Sequence, residues 1–404
     1  MPVVFSTVLH VIDDILFLIA LFLLFWDAVG LINRWFNLKK RGFSISPGVM
    51  MWRTKRGLSF INRVAKARRF WRVYGDFAVV AGIVLMVFVF INLVLNLTVL
   101  LTQPAAAVAG VQLVLPGLVP GLTPVAWIIA IATVLLVHEF AHGFLLRSQG
   151  LRVKSVGGML VLAIPGAFVE PDEKQLAKAP VLKRLRMYAA GAFSNVLFAL
   201  LCLAIILLLI VPKPGAYVYA VAKGYPADNH GIAPGMRIYS IDNLQINSPQ
   251  DFESFMSLTR PGENVWLVTS AGEMVITLAP NPNVENRGYL GVALFSAFSR
   301  WNFLNPLFVL WAAMSELLGG NVFHPFIFEA LVPWAVIDIL KWIFVLNIGI
   351  GLFNLMPAVP LDGGYILRGI LEKFTSEERA RQITMAVSVV VLAIILANFL
   401  PYLR

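Results

Sequence analysis

Apolar runs long enough to cross a bilayer constrain the fold of this chain more than any other feature. A transmembrane helix needs about 20 apolar residues, and such runs lie at residues 12–32, 77–101, 125–146, 185–211, 332–353 and 385–400. Of the 404 residues, 59% are hydrophobic and only 13% are charged, which is more apolar surface than a soluble core could bury. The sequence therefore predicts a polytopic α-helical membrane protein with about six transmembrane helices.

The distribution of charge predicts the orientation of these helices. Between Arg34 and Arg72 the chain is rich in lysine and arginine and contains no acid, which is typical of a cytoplasmic loop. With six crossings, the basic residues of 147–186 and 368–381 also fall inside, and both termini fall outside. We attribute the net charge of +10 to this topology and expect no nucleic-acid partner. The first run lacks a basic start and a cleavage site, so we expect a retained helix.

Three shorter apolar segments are not predicted to span the membrane. Residues 105–123 are interrupted by proline and glycine, and we expect them at the outer surface, while 303–318 predicts an interfacial helix. Residues 155–171 combine strand-forming side chains with Gly and Pro, which predicts a re-entrant β-loop resting against protein.

A soluble insert interrupts the membrane pattern after the fourth predicted helix. From Gly215 to about Val292, short alternating segments, turn residues and a helix near 249–258 replace the long apolar runs. This pattern predicts an extracytoplasmic α+β domain. The predicted organisation is 1–75 for the first helix and basic loop, 76–211 for the membrane core, 213–298 for the insert, and 299–404 for an interfacial helix and two further spans.

The segment "VHEFAHG" places ionisable side chains where a membrane helix should be apolar. His138 and His142 are four residues apart, so on a helix they lie on one face with Glu139 beside them. This spacing lets two imidazoles hold one zinc ion while the glutamate acts on water as a general base. Ionisable groups inside a bilayer are costly and usually functional. A polar cluster that bridges helices is the alternative interpretation.

A catalytic zinc site needs a third protein ligand, and Asp362 in "NLMPAVPLDGG" is the best candidate. Pro357 and Pro360 break the preceding helix, so irregular backbone can carry this carboxylate to the depth of the histidines. A role as a helix N-cap is the alternative. The remaining candidates are weaker because of their location or a nearby partner, and they are His10, His230, His324 and Asp338, which has Lys341 one turn away. The single cysteine, Cys202, offers no thiolate site.

Together, "VHEFAHG" and "FNLMPAVPLDGG" resemble the site-2 protease family of intramembrane zinc metalloproteases. The stretch "IPGAFVEPDEKQL...RLRMYAAGAFSNVLFAL" between them also resembles that family. The resemblance implies that His138, His142 and Asp362 bind one zinc ion per chain and that Glu139 is the general base. The implied reaction is hydrolysis of peptide bonds within or near transmembrane segments of single-span membrane proteins, in the manner of regulated intramembrane proteolysis.

Further residues are assigned through the same resemblance. Asn195 matches an asparagine thought to hold substrate or the developing oxyanion, although interhelical hydrogen bonding is an alternative. The segment 157–169, with Gly157 and Gly158, is similar to a hairpin that pairs with unwound substrate. Asn354 matches an asparagine that opens the second motif, for which a structural role is the safer interpretation.

The insert, 213–298, resembles a PDZ domain, and we refer to it as the PDZ-like insert. PDZ domains bind extended peptides, often C-termini, at a sheet edge. A spacer that only excludes bulky substrates is the alternative.

Two other function classes were weighed against proteolysis. A transporter or ion channel would carry His, Glu and Asp along a path through the membrane, but it predicts an internal hydropathy repeat, and the sequence has none. A catalytically inactive scaffold would be expected to lack a ligand or the glutamate, yet all four positions are intact. We therefore expect a multi-pass cell-membrane enzyme in contact with the lipid bilayer, with its active site toward the cytoplasm. The same ligand set also suits non-haem iron.

Overall fold

A computed structural model of the chain describes residues 20, 22–103, 112, 114–162, 164–213, 215–296, 300–319, 322–325 and 327–399. The chain divides into two compact units. Unit 1 comprises residues 1–112, 131–198 and 347–404, and unit 2 comprises 113–130 and 199–346.

Five helices of the described residues are long and apolar enough to cross a membrane, as expected for a multi-pass protein. They are α3 (Arg68–Thr102), α4 (Pro124–Ser148), α6 (Val181–Leu209), α10 (Trp334–Asn354) and α12 (Glu377–Asn398). Each overlaps one of the predicted runs. Residues 12–19 and 21 of the first predicted span, 12–32, lie outside the described residues. In the described part, helix α1 covers 22–36. The count of six spans therefore stays a prediction.

Unit 1 contains a four-stranded antiparallel sheet that the sequence predicted only in part. Its strands follow the order β1 (Phe43–Ser46), β2 (Val49–Thr54), β3 (Val153–Val161) and β4 (Ile164–Pro171). The last two form a hairpin over the segment 155–171, and its re-entry into the membrane stays a prediction. The first two come from the basic segment 34–72, which we expected to be a loop. Short helix α2 (Leu58–Val64) follows them, so that segment is structured over much of its length.

The remaining helices of unit 1 are short. They are α5 (Glu173–Ala177), which begins with a side-chain cap from Asp172, and α11 (Asp362–Leu371), which follows the Pro-rich break after α10. Helix α11 and the break pack against α3 and α12 through apolar side chains, among them Leu93, Met356 and Val391. Two of the spans therefore support the segment that carries Asp362.

The PDZ-like insert forms a compact domain within unit 2. Its sheet has the strand order β10 (Gly272–Thr277), β9 (Asn264–Thr269), β7 (Arg237–Ile241), β6 (Ala216–Val221) and β13 (Val292–Phe295), and β8 (Leu244–Gln245) pairs with β7. Helix α8 (Pro249–Met256) begins where the Ser248 hydroxyl accepts a hydrogen bond from the Asp251 N–H. Alternating strand residues such as Val265, Leu267 and Ile276 form a buried core with Phe252.

Shorter elements complete unit 2. Helix α7 (Pro226–Asn229) lies in the insert, β11 (Ala279–Pro280) pairs with β12 (Gly288–Tyr289), and β5 (Ile210–Pro212) pairs with β14 (Phe328–Ala330). The predicted interfacial helix 303–318 corresponds to α9 (Pro306–Leu317), which follows a 3-10 turn at Arg300–Leu304. Trp301, Leu307 and Trp311 are exposed on this segment, and its location at the membrane surface stays a prediction.

A buried ion pair joins α9 to α10. Lys341 Nζ lies 3.2 Å from Glu316 Oε2 and 3.4 Å from Asp338 Oδ1. The predicted Asp338–Lys341 contact is therefore present, but Glu316, which is 2% exposed, is the deeper partner. The Phe323 N–H donates to Glu316 Oε1 at 2.9 Å, so this carboxylate also holds the turn after α9.

We expect Lys341→Met to destabilise the protein by about 3–5 kcal/mol, because it leaves the Glu316 carboxylate buried without its cation. The double variant Lys341→Met with Glu316→Gln removes both charges and should recover most of this loss. Denaturant titration in detergent micelles measures the free energy of unfolding of both variants. Equal stability of wild type and the single variant would contradict a buried charge pair.

Candidate metal centre

Helix α4 carries both histidines of the first motif on one face. Their rings meet edge to face with centroids 4.7 Å apart, as the four-residue spacing requires. His142 is 8% exposed, and Ala141, Leu145 and Ala190 pack in a buried cluster beside it. The helical spacing predicted from the sequence therefore produces a pair of inward-facing imidazoles.

The Pro-rich break after α10 brings Asp362 to these imidazoles. Its Oδ2 atom lies 3.3 Å from His138 Nε2 and 3.5 Å from His142 Nε2. Gly363 and Gly364 permit this approach, since a Cβ atom at either position would overlap the backbone of residues 355–359. Asp362 is the first residue of α11, whose cap residue Leu361 makes no side-chain cap hydrogen bond. The carboxylate faces the histidines, so the N-cap alternative is not needed to explain it.

The three side chains form a set that could hold a metal ion, with ligand atoms within 4.8 Å of one another. Zinc ligands at about 2.0 Å in a tetrahedron lie about 3.3 Å apart, close to the two separations above. Asp362 Oδ2 is buried and has no hydrogen-bond partner among the described residues. The residues therefore fit a zinc ion.

The backbone of α6 fixes the tautomer of one imidazole. His142 Nδ1 lies 2.7 Å from the Met187 carbonyl oxygen, so Nδ1–H donates to that oxygen and Nε2 keeps its lone pair for a metal. Gly191, one turn further along α6, provides the space for the rings. A Cβ there would lie 2.7 Å from His138 Nε2 and would overlap His142 Nε2. Sequence analysis did not identify Gly191, although "AAGAF" signals close helix packing.

Asn195 lies at the metal centre, but its neighbour differs from the one that the resemblance implies. It is fully buried, and its Nδ2 atom lies 3.4 Å from His138 Nδ1. Its Oδ1 atom has no partner among the described residues. A 180° rotation of the amide would let Oδ1 accept from Nδ1–H and would satisfy both groups. The geometry favours a contact that orients His138 over a direct contact with substrate.

Glu139 contacts the sheet of unit 1 through one carboxylate oxygen and lies near enough to the three-ligand set to interact with it electrostatically. The Val169 N–H of strand β4 donates to Glu139 Oε2 at 2.8 Å. This bond fixes one carboxylate oxygen and brings the outer edge of β4 to the glutamate. Strand β4 is an edge strand, so part of its backbone has no strand partner within the described residues.

Gly157 and Gly158 lie on the interior strand β3, contrary to the expected pairing with substrate. Each faces residues of both β2 and β4, so β3 has no free edge. A Cβ at Gly157 would overlap the Trp52 carbonyl oxygen. The packing of β2 against β3 therefore explains why this position is a glycine. The edge of this sheet that lies beside Glu139 is the outer edge of β4.

A hydrogen bond from α12 holds the loop that delivers Asp362. The Val359 N–H donates to Ser388 Oγ at 2.9 Å, and that hydroxyl donates to the Thr384 carbonyl at 2.7 Å. Ser388 was not singled out by sequence analysis. A polar side chain inside the last apolar run was the available signal.

The weaker candidates within the described residues do not join this group. His10 lies outside the described residues, and His230 Nδ1 bonds the Pro226 carbonyl at 2.8 Å. Asp338 pairs with Lys341. Within the described part of the chain, His138, His142 and Asp362 are the one cluster found with metal-ligand geometry.

Comparison with known proteins agrees with this geometry. The family model described as Peptidase family M50 matches residues 126–397, a range that includes both motifs. An uncharacterized protein of Methanocaldococcus jannaschii is 25% identical over 397 residues, covering 93% of this chain and 95% of the relative. The PDZ domain of an SdrC-like protein from Listeria monocytogenes is 25% identical, covering 21% of this chain and 90% of that structure with a TM-score of 0.19.

Relatives that are named as proteases match shorter parts of the chain. A membrane-bound transcription factor site-2 protease homolog from Arabidopsis thaliana is 28% identical over 123 residues, which are 29% of this chain and 24% of the relative. Protease RseP from Yersinia pestis is 27% identical over 149 residues, 30% of this chain and 33% of the relative. Because the family model spans more than half of the chain, the protein belongs to peptidase family M50 and is a membrane zinc metalloprotease of the site-2 protease type.

Proposed function

We propose that the protein binds one zinc ion through His138, His142 and Asp362 and hydrolyses peptide bonds within or near transmembrane segments. The observation that carries this proposal is the unpartnered, buried Asp362 Oδ2 atom facing two Nε2 atoms at 3.3 and 3.5 Å. Zinc is favoured over iron because the protein belongs to a zinc metalloprotease family, although the ligand types suit both metals. When bound, zinc supplies Lewis-acid activation of water and of the peptide carbonyl.

Glu139 is proposed as the general base. The Val169 N–H fixes its Oε2 atom, which leaves Oε1 to accept a proton from the attacking water. The same oxygen then delivers that proton to the departing amide nitrogen. His142 keeps its Nε2 lone pair because Met187 holds the opposite N–H. Asn195 is proposed as a positioning residue for His138.

The substrate is proposed to bind as an extended strand along the outer edge of β4. A helical peptide bond is shielded by its own hydrogen bonds, so the substrate helix must unwind before attack. Strand addition replaces the hydrogen bonds that unwinding breaks. Because Val169 on this edge contacts Glu139, a paired segment would pass beside the proposed base. This arrangement suits single-span membrane proteins cut in regulated intramembrane proteolysis.

The PDZ-like insert is proposed to bind peptide or protein termini. A cavity of about 270 Å³ lies between α8 and strands β12 and β13, with Phe252, Met256, Leu290 and Leu294 in its wall. Strand β13 is at the edge of the sheet, so an extended peptide could add beside it. By the distribution of basic residues, we place this insert and both termini outside the cell and the metal centre toward the cytoplasm.

The test is cleavage of a model single-span substrate by purified protein with its zinc content measured in parallel. We expect wild type to cleave within the span, Asp362→Ala to lose both zinc and cleavage, and Asp338→Asn to keep both. The control changes a carboxylate that is 52% exposed and pairs with Lys341. Cleavage by Asp362→Ala at the wild-type rate would contradict the proposed ligand.

We expect Ser388→Ala to weaken zinc binding by about tenfold, because the freed Val359 N–H loosens the loop that carries Asp362. Thr384→Val is the matched control, since the Thr384 hydroxyl bonds only the Ala380 carbonyl of its own helix. Zinc affinity is measured by competition with a chelating dye. An unchanged affinity in Ser388→Ala, or an equal loss in Thr384→Val, would show that Ser388 does not position this loop.

A further inference from the structure

An apolar groove opens in unit 1 on the face of α4 opposite the metal centre. Its volume is about 280 Å³, and its wall includes Phe60 of α2, Trp71 of α3, Phe140 and Phe144 of α4, and Ser194 of α6. The aromatic rings contact one another, with Trp71 5.0 Å from Phe144 and Phe60 5.5 Å from Phe140. The proposed protease chemistry makes no use of this groove.

The corner formed by α2 and α3 makes one end of this groove rigid. The Trp71 indole N–H donates to the Val64 carbonyl at 2.9 Å. Ile61 of α2 is fully buried and packs on Gly143 of α4, where a Cβ would lie 3.0 Å from its side chain. The polar group in the wall is satisfied, because the Ser194 hydroxyl bonds the Tyr74 hydroxyl. The groove is therefore a preformed apolar surface.

Unpaired cations border the same corner. Exposed basic residues occupy α2, the turn after it and the start of α3, and they are Arg63, Lys66, Arg68, Arg69 and Arg72. On a helix, residues three apart are neighbours, so Arg63 lies next to Phe60 and Arg68 next to Trp71. Within the described residues none of these five forms an ion pair. The nearest acid that follows in sequence, Asp76, pairs with Arg186.

We propose that this groove and its basic border form a binding site for an anionic phospholipid. One acyl chain would lie against Phe60, Trp71 and Phe144, and the phosphate would lie among the arginines. Tryptophan at the start of a span marks the headgroup level, which is where the phosphate of a lipid with its chain in the groove would be. Each cation near an anionic headgroup contributes about fivefold in affinity.

Charge argues against a substrate helix as the occupant. Membrane proteins carry lysine and arginine at the cytoplasmic ends of their spans, and those residues would be repelled by the basic border. An anionic lipid has the complementary charge together with an apolar chain. The proposal is independent of the protease mechanism, because it concerns residues outside the metal centre and is tested without cleavage.

The test is lipid binding by native mass spectrometry of the full chain in neutral detergent, with dioleoyl phosphatidylglycerol and dioleoyl phosphatidylcholine as probes. These lipids have the same chains and differ in headgroup charge. We expect at least tenfold tighter binding of phosphatidylglycerol to wild type. The triple variant Arg63→Gln, Arg68→Gln, Arg72→Gln should lose this preference.

Two further variants distinguish a specific lipid-binding site from general electrostatic attraction of anionic lipid. Lys39→Gln, Lys40→Gln, Arg41→Gln removes the same charge from the 3-10 turn before β1 and should retain the preference within threefold. Leu136 also lines the groove, so Leu136→Trp should fill the groove and weaken binding of both lipids. Equal effects of the two triple variants, no preference in wild type, or unchanged binding in Leu136→Trp would overturn the proposal. Displacement of phosphatidylglycerol by an equimolar single-span peptide with a basic flank would assign the groove to substrate instead.

Discussion

Glu139→Gln is expected to lower the rate of peptide cleavage by roughly 100- to 10,000-fold, the usual contribution of a general base, while zinc stays bound. Glutamine keeps an oxygen that can accept the Val169 N–H, so the sheet contact survives. It cannot accept a proton from water. The three ligand atoms belong to other residues, so metal content should not change.

The measurement is a cleavage assay with a single-span substrate and zinc analysis of the same sample. Glu170→Gln is the matched control, because this nearby carboxylate has structural partners in Arg53 and Ser155. We expect the control to cleave at close to the wild-type rate. A Glu139→Gln protein with activity within tenfold of wild type would rule out Glu139 as the base.

The second large effect is expected from Gly191→Ala, which adds a single methyl group to α6. Gly191→Ala places a Cβ 2.7 Å from His138 Nε2 and in overlap with His142 Nε2, so both rings must move away from Asp362. Packed helices cannot absorb such a shift freely. We therefore expect zinc affinity to fall by about 100-fold, the upper end of the loss caused by mutating residues that orient metal ligands. The rate of cleavage should fall with it.

Gly349→Ala is the control for Gly191→Ala. It makes the same substitution in a spanning helix at a position where a Cβ would meet nothing within 4 Å. Its zinc affinity should match wild type. If Gly191→Ala bound zinc as tightly as wild type, the close approach of α6 to the imidazoles would not be needed for the site.

The sequence predicted the parts of the site that depend on local geometry. The four-residue spacing of His138 and His142 determines their shared face on any helix. The prolines and glycines around Asp362 determine where the helix breaks. The pairing of Asp362 with the two histidines rested in addition on the predicted topology and on the family resemblance.

Parts of the site that depend on distant segments were not predictable in this way. Strand β2 pairs with β3, which lies about 100 residues later in the chain, and β1 pairs with β2. The basic segment therefore looked like a loop. Gly191 matters because of what packs against it, and Ser388 because of the loop opposite it. Asn195 was placed at the site through the family resemblance, but its buried contact with His138 emerges only from helix packing.

X-ray absorption at the metal edge of the purified wild-type protein tests the central claim most directly. The account predicts about one zinc per chain, bound at about 2.0 Å by two imidazole nitrogens and oxygen ligands, and loss of this signal in Asp362→Ala. A different metal, a first shell without two imidazoles, or an unchanged spectrum in Asp362→Ala would contradict it.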